Sequence, residues 1–250
     1  MTDERRAWQV VLESIERDLL DGRLRPGDHL PGERALSADL GVGRSSVREA
    51  IRVLEVLGLV RTATGSGPTS GAIIVALPGG GMSALMRLQV AATGFAVADI
   101  VQTRLVLETA VAADLAGSRP DLTASASLLD VMESRDLPPG DFLALDAQFH
   151  LSLAEASGNQ VIAATMAGLR SSIENYAIAG ASTLPSWSGT SARLMREHRA
   201  ILTAIESGDP ASARGAVHDH IAGYYAETNL PSRRPDETPR LVADAAPSGA

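Results

Sequence analysis

Three arginines stand four residues apart in the stretch GVGRSSVREAIRVLEVLGLV, at Arg44, Arg48 and Arg52, interleaved with Val47, Ala50, Ile51 and Leu54. On an α-helix the guanidinium row spans about 80°, beside the apolar arc but separate from it. The apolar arc is enough to pack the helix, so the arginines are directed at something outside. Laid in the major groove of a duplex, such a row can make bidentate contacts to guanine O6 and N7. Ser45 and Ser46, in the first turn, suit phosphate oxygens, helped by free backbone N–H groups and the positive end of the helix dipole. The competing reading is a solvated face paired with Glu49 and Glu55.

A second chemistry lies in the histidines. Of five, four follow residue 149: His150, His198, His218 and His220. LDAQFH sets Asp146 and His150 four residues apart on one helix face, a spacing that lets two side chains share one ion. One carboxylate with three imidazoles suits zinc, the first expectation, and equally accepts nickel, manganese or ferrous iron. Such a set can also activate water for a metal-dependent hydrolase. No well-placed general base stands beside these residues, so the chain is not expected to be an enzyme. A third group is Arg104 with Glu108, at i and i+4 in an otherwise apolar helix. Taken alone it is an intrahelical ion pair worth a few tenths of a kcal/mol, about 0.2–0.5.

The elements that must position these groups follow from periodicity. The chain has 250 residues, 45% apolar and only 3% aromatic, with no cysteine and a net charge of −8. Alanine and leucine dominate, which favours packed helices over a sandwich of strands. The absence of cysteine excludes disulfides and thiolate metal sites. No apolar run approaches the ~20 residues of a membrane span, and the N-terminus is not a signal peptide, so a soluble cytoplasmic protein is expected. All 22 cations are arginine. Residues 1–70 hold ten arginines and eleven acids, the remainder twelve and nineteen. The acidity therefore lies mostly C-terminal, and a nearly neutral N-terminal part can read DNA if its arginines cluster where the phosphates lie.

Trp8, Val11, Leu12, Ile15 and Leu19 mark a first helix, stopped at Gly22. A short helix from about Glu33 and a second from Gly43 or Arg44 follow, with Gly32 as the first N-cap. LVRTA and AIIVAL, joined by the glycine-rich TGSGPTSG, predict a β-hairpin. Three helices and a hairpin are the layout of a winged helix-turn-helix, assigned to residues 1–76. PGGGMS (78–83) is expected as a linker. Helices near 81–93, 97–118, 121–135, 139–157, 159–180, 188–207 and 210–228 predict an all-helical bundle of about seven helices over 77–228. Residues 229–250, rich in Pro, Ser and charge, are expected to be a disordered tail.

PGDHLPGERALSADLGVGRSSVREAIRVLEVLGLV resembles the DNA-binding domain of the GntR family of bacterial transcription regulators. The resemblance implies that Arg34, Arg44 and Arg48 read bases or phosphates, that Ser46 serves the backbone, and that Gly65 in the wing meets the minor groove edge. The chain departs from the family pattern at Gly32 and Gly43, where serine is usual, and at Thr64, where the wing often has a basic residue.

D-x2-FH, a later EH, and a histidine eleven residues after GD together resemble the FCD effector domain of the FadR subfamily. This implies that Asp146, His150, His198 and His220 bind a divalent metal inside the bundle; His220 keeps the eleven-residue spacing from Asp209, and His218 does not. It also implies that Arg104, in the R-x2-LE pattern, lies in the effector pocket, where its planar fork fits a carboxylate. The expected protein is a homodimeric, one-component transcription regulator that binds double-stranded DNA, a repressor controlled by a small organic acid held near the metal. The alternative keeps the DNA binding with a metal-free effector pocket.

Overall fold

The computed structural model describes residues 6–63, 71–75, 80–93, 95–134 and 136–228. The protein is mainly helical, with one small hairpin among the described residues. These residues form two compact units, one of residues up to 88 with 158–169, the other of 89–157 with 170 onward. No described helix is long and apolar enough to cross a membrane.

The first unit begins with α1 (Ala7–Leu20), α2 (Glu33–Leu40) and α3 (Arg44–Val56), followed by β1 (Val60–Ala63) and β2 (Gly71–Ile74). Each helix is amphipathic, and each turns its apolar stripe to one shared core. Val11 and Ile15 come from α1, Leu36 from α2, and Val47, Ala50, Ile51 and Leu54 from α3. The strands pair antiparallel with Val60 opposite Ile74, and both these side chains are buried in that core. A stretch before α2 adds a third edge: Leu30 N–H donates to the Ala72 carbonyl, and Gly27 N–H to that of Ile74, each at 2.8 Å. Neither α2 nor α3 has a side-chain N-cap; Gly32 and Gly43 occupy those places. Gly41, at φ +65°, makes the left-handed turn that separates the two helices, a conformation glycine adopts without penalty.

The second unit is built from α5 (Val97–Ser118), α6 (Thr123–Glu133), α7 (Pro139–Ala156), α9 (Trp187–Glu206) and α10 (Pro210–Thr228). Helix α8 (Gln160–Ala181) gives its first part to the first unit and its later part to the second. In the second unit α10 packs on α5 and α9, and α6 on α7 and α9. Arg199 of α9 ties down α6 by reaching Asp130 and Glu133 at 2.7 Å.

Gly80 to Ser83 are not linker but the first turn of α4 (Gly80–Thr93); residues 76–79 lie outside the described residues. The glycines that suggest slack serve close packing instead. A Cβ on Gly81 would fall 1.6 Å from the carbonyl oxygen of Leu57, so only glycine fits where α4 starts. The expected tail, 229–250, lies outside the described residues.

Ile15 is 1% exposed at the centre of the first core. Ile15→Ala is expected to destabilise this unit by about 2–5 kcal/mol, measured as a lower midpoint in urea unfolding followed by circular dichroism.

Candidate functional site

Helix α3 buries Val47, Ala50, Ile51 and Leu54 and leaves Arg44, Ser45, Arg48 and Arg52 exposed, with Ser46 half-buried. Arg34 is exposed on α2. Ser45, Arg48, Glu49 and Arg52 line an open groove along the outer face. The side chains of Arg44 and Arg48 are 62% and 56% exposed, and a Glu33 carboxylate oxygen lies 3.9 and 4.0 Å from them. Such long, solvated pairs are worth little, so both guanidinium groups can turn to another anion. Glu55 is engaged elsewhere: it accepts from the backbone N–H of Thr62 at 3.1 Å and from its hydroxyl at 2.5 Å. Gly65 lies outside the described residues.

In the second unit, helix α7 turns both Asp146 and His150 inward, while His198 comes from α9 and His220 from α10; all four are buried. One potential ligand atom from each lies within 4.8 Å of all the others. His150 Nε2 is 3.1 Å from His220 Nε2, and Asp146 Oδ1 is 3.0 Å from His198 Nε2 and 3.7 Å from His220 Nε2. Ligands bonded at ~2.1 Å to one ion sit about 3.0–3.5 Å apart, so the spacing fits a single centre.

Two carboxylates outside this set fix the ring orientation. His150 Nδ1 is 2.5 Å from Glu108 Oε2, and His220 Nδ1 is 2.9 Å from Glu197 Oε2. A bare ring nitrogen so close to a carboxylate would be repelled, which favours the proton on both Nδ1 atoms, although the His150 contact is a close approach and not an aligned hydrogen bond. The two Nε2 lone pairs then face each other in the bundle interior, where they need a cation or proton between them. His198 Nδ1 is buried without a hydrogen-bond partner among the described residues. His218, by contrast, is exposed and pairs with Asp219.

The charges are strongly mutual. Burial pushes Asp146 up, but His198 and His220 hold it well below the usual carboxylate range. Burial, with His220 adding, pushes His198 down to about 4. Burial also acts to lower His220, yet Asp146 and Glu197 hold it above its ordinary value. Glu108 is held at about 2, because Arg104 and His150 overcome the cost of its burial.

Beside this cluster lies Arg104, 5% exposed. Its Nε donates to Glu108 Oε1 and its Nη1 to the Tyr176 hydroxyl, both at 2.7 Å. Nη2 is buried with no partner among the described residues. A cavity of about 10 Å³ adjoins it, lined among others by Arg104, Asp146, Tyr176, His220 and Tyr224. That is room for one water, with the Arg104 guanidinium, Asp146 and His220 sharing its wall.

Sequence reasoning missed Tyr176 and gave Glu108 only the ion pair with Arg104. Glu197 could have been found, since it is the acid of the EH dipeptide. Tyr176 carries no local signal, because its partner lies 72 residues away.

Two family descriptions match the chain: "Bacterial regulatory proteins, gntR family" over residues 8–69 and "FCD domain" over 99–223. The chain is 30% identical over 229 residues to the Glc operon transcriptional activator of Escherichia coli strain K12, covering 88% of this chain and 89% of that protein. It is 30% identical to the HTH-type transcriptional regulator LutR of Bacillus subtilis strain 168, with 83% and 97% covered. To the HTH-type transcriptional repressor NanR of Cronobacter sakazakii it is 29% identical, with 87% and 84% covered. A solved structure described as Streptococcus agalactiae GntR superposes with a TM-score of 0.56 at 26% identity, covering 86% of this chain and 98% of that one. These relatives are regulators rather than enzymes, and the hydrolase alternative falls with them.

Glu108→Ala leaves the Arg104 guanidinium buried without its carboxylate and is expected to cost about 3–5 kcal/mol in urea unfolding. Glu108 is held at about 2 against an ordinary 4.5, so its contribution is complete above the ordinary value and fades as pH falls through about 2. The stability gap between the native chain and Glu108→Gln should therefore narrow over that window.

Proposed function

Because the chain belongs to the GntR family of bacterial regulatory proteins, carries its FCD domain and is a DNA-binding transcription regulator, we propose a division of labour within it. Residues 1–76 read an operator. Residues 77–228 dimerise and receive a divalent ion together with a small carboxylate.

The observation that carries the DNA reading is the outward guanidinium row of α3 over a fully buried apolar arc. Arg34, Arg44 and Arg48 take base edges and phosphates, and Ser45 and Ser46 take phosphate oxygens at the helix start. A twofold dimer sets two such helices about one helical turn apart, so the operator is close to palindromic.

Asp146, His150, His198 and His220 hold the ion, zinc before nickel, manganese or iron. The support is the pair of Nε2 atoms turned on each other at 3.1 Å while both Nδ1 atoms face carboxylates. When bound, the ion supplies a Lewis-acid position for a ligand oxygen. Arg104 receives the carboxylate through Nη2 and, once Tyr176 yields, Nη1. The acid acts on DNA affinity by favouring one of two conformations, and a coupling of ~1–3 kcal/mol is enough for a switch. Among the relatives one is named an activator and another a repressor; we take repression relieved by the acid.

Arg48→Ala should weaken operator binding by about 1–3 kcal/mol in a gel-shift titration at fixed salt, and unchanged affinity removes Arg48 from the reading set. Stripping the protein with a chelator should lower its melting temperature. Zn²⁺ restored at 100 times its dissociation constant should return about 2.7 kcal/mol. A melting temperature indifferent to both treatments favours a pocket that takes the acid without metal.

A further inference from the structure

Glu108 divides its two oxygens between the two halves of the candidate site. Oε1 accepts from Arg104 Nε at 2.7 Å, and Oε2 lies 2.5 Å from His150 Nδ1. Arg104, Glu108 and His150 are all buried, at 5%, 5% and 2% exposure, so solvent does not screen either contact. A simple ion pair on α5 would leave Oε2 free; here it reaches across to α7.

We propose that Glu108 is a positioning residue that couples the metal-binding histidine His150 to the anion-binding arginine Arg104. The inference rests on the metal and carboxylate reading above and deepens it. Arg104 competes with His150 for the charge of one carboxylate. An anion on the outer edge of the guanidinium weakens Arg104's hold, the charge of Glu108 falls more fully on His150, and Nε2 becomes a better donor. By linkage, an occupied metal site raises the affinity of Arg104 for the anion by the same factor.

The test is a double-mutant cycle read as Zn²⁺ affinity, by chelator-competition titration of the metal-stripped full chain. In Glu108→Gln the amide has one acceptor oxygen, so it cannot serve both partners. Zn²⁺ binding should weaken about 10–100-fold, the usual effect of losing a carboxylate behind a ligand histidine. Arg104→Gln should shift Zn²⁺ affinity in the native background. In the Glu108→Gln background that shift should differ by about fivefold or more, because the connecting carboxylate is gone. The double variant buries neither charge, so it should fold where a single variant does not, and its Zn²⁺ affinity should still fall below the native value. Native-like Zn²⁺ affinity in Glu108→Gln, or effects of the two substitutions that simply multiply, overturns the proposal. A native chain that binds no Zn²⁺ overturns instead the metal reading on which it stands.

Discussion

A carboxylate or guanidinium removed from water loses several kcal/mol of hydration, and the helical unit takes Arg104, Glu108, Asp146, His150, His198 and His220 inside together. None of these groups is tolerable there alone. Each is held by a partner from another helix: His150 on α7 by Glu108 on α5, His220 on α10 by Glu197 on α9, Arg104 on α5 by Tyr176 on α8. The apolar packing around them is constrained in turn. Phe149 is fully buried with its ring 4.8 Å from that of His198, and Leu143 and Leu194 seal the same region. A shift of any helix by one turn would strand a charge, so the polar cluster fixes the register that the many alanines and leucines leave open.

The DNA-reading unit obeys the opposite constraint. Its core is wholly apolar, drawn from α1, α2, α3 and the hairpin, and its charges stay in water. Glu33, at the start of α2, sits near both Arg44 and Arg48. The carboxylate is close enough to bias where the guanidinium groups point and too far and too solvated to retain them.

Much of this was legible in the sequence, and the reasons differ by element. Helix limits could be read because breakers such as Gly41, Gly58, Pro139 and Pro210 act locally, through φ and missing donors. The i, i+4 pair Asp146 and His150 was legible because helical geometry alone puts both on one face. The gathering of His198 and His220 with them came only from likeness to a family, since nothing local brings α9 and α10 to α7. Glycine misled at 80–83, where a dense run suggests slack and the chain instead uses Gly81 for contact with Leu57. Tyr176 and the second oxygen of Glu108 were invisible because their roles are defined by partners 72 and 42 positions away.

The cavity beside Arg104, about 10 Å³, has a consequence in time rather than in energy. A space that holds one water admits no organic anion as it stands, so side chains around it must first move apart. Capture of the carboxylate proposed above would then proceed in two stages, a spontaneous opening followed by entry. At high ligand concentration the observed rate levels off at the opening frequency instead of climbing toward the diffusion limit. Should the proposed acid enter here, the pace of the response would follow how often Tyr176 and Tyr224 part, however abundant the molecule outside.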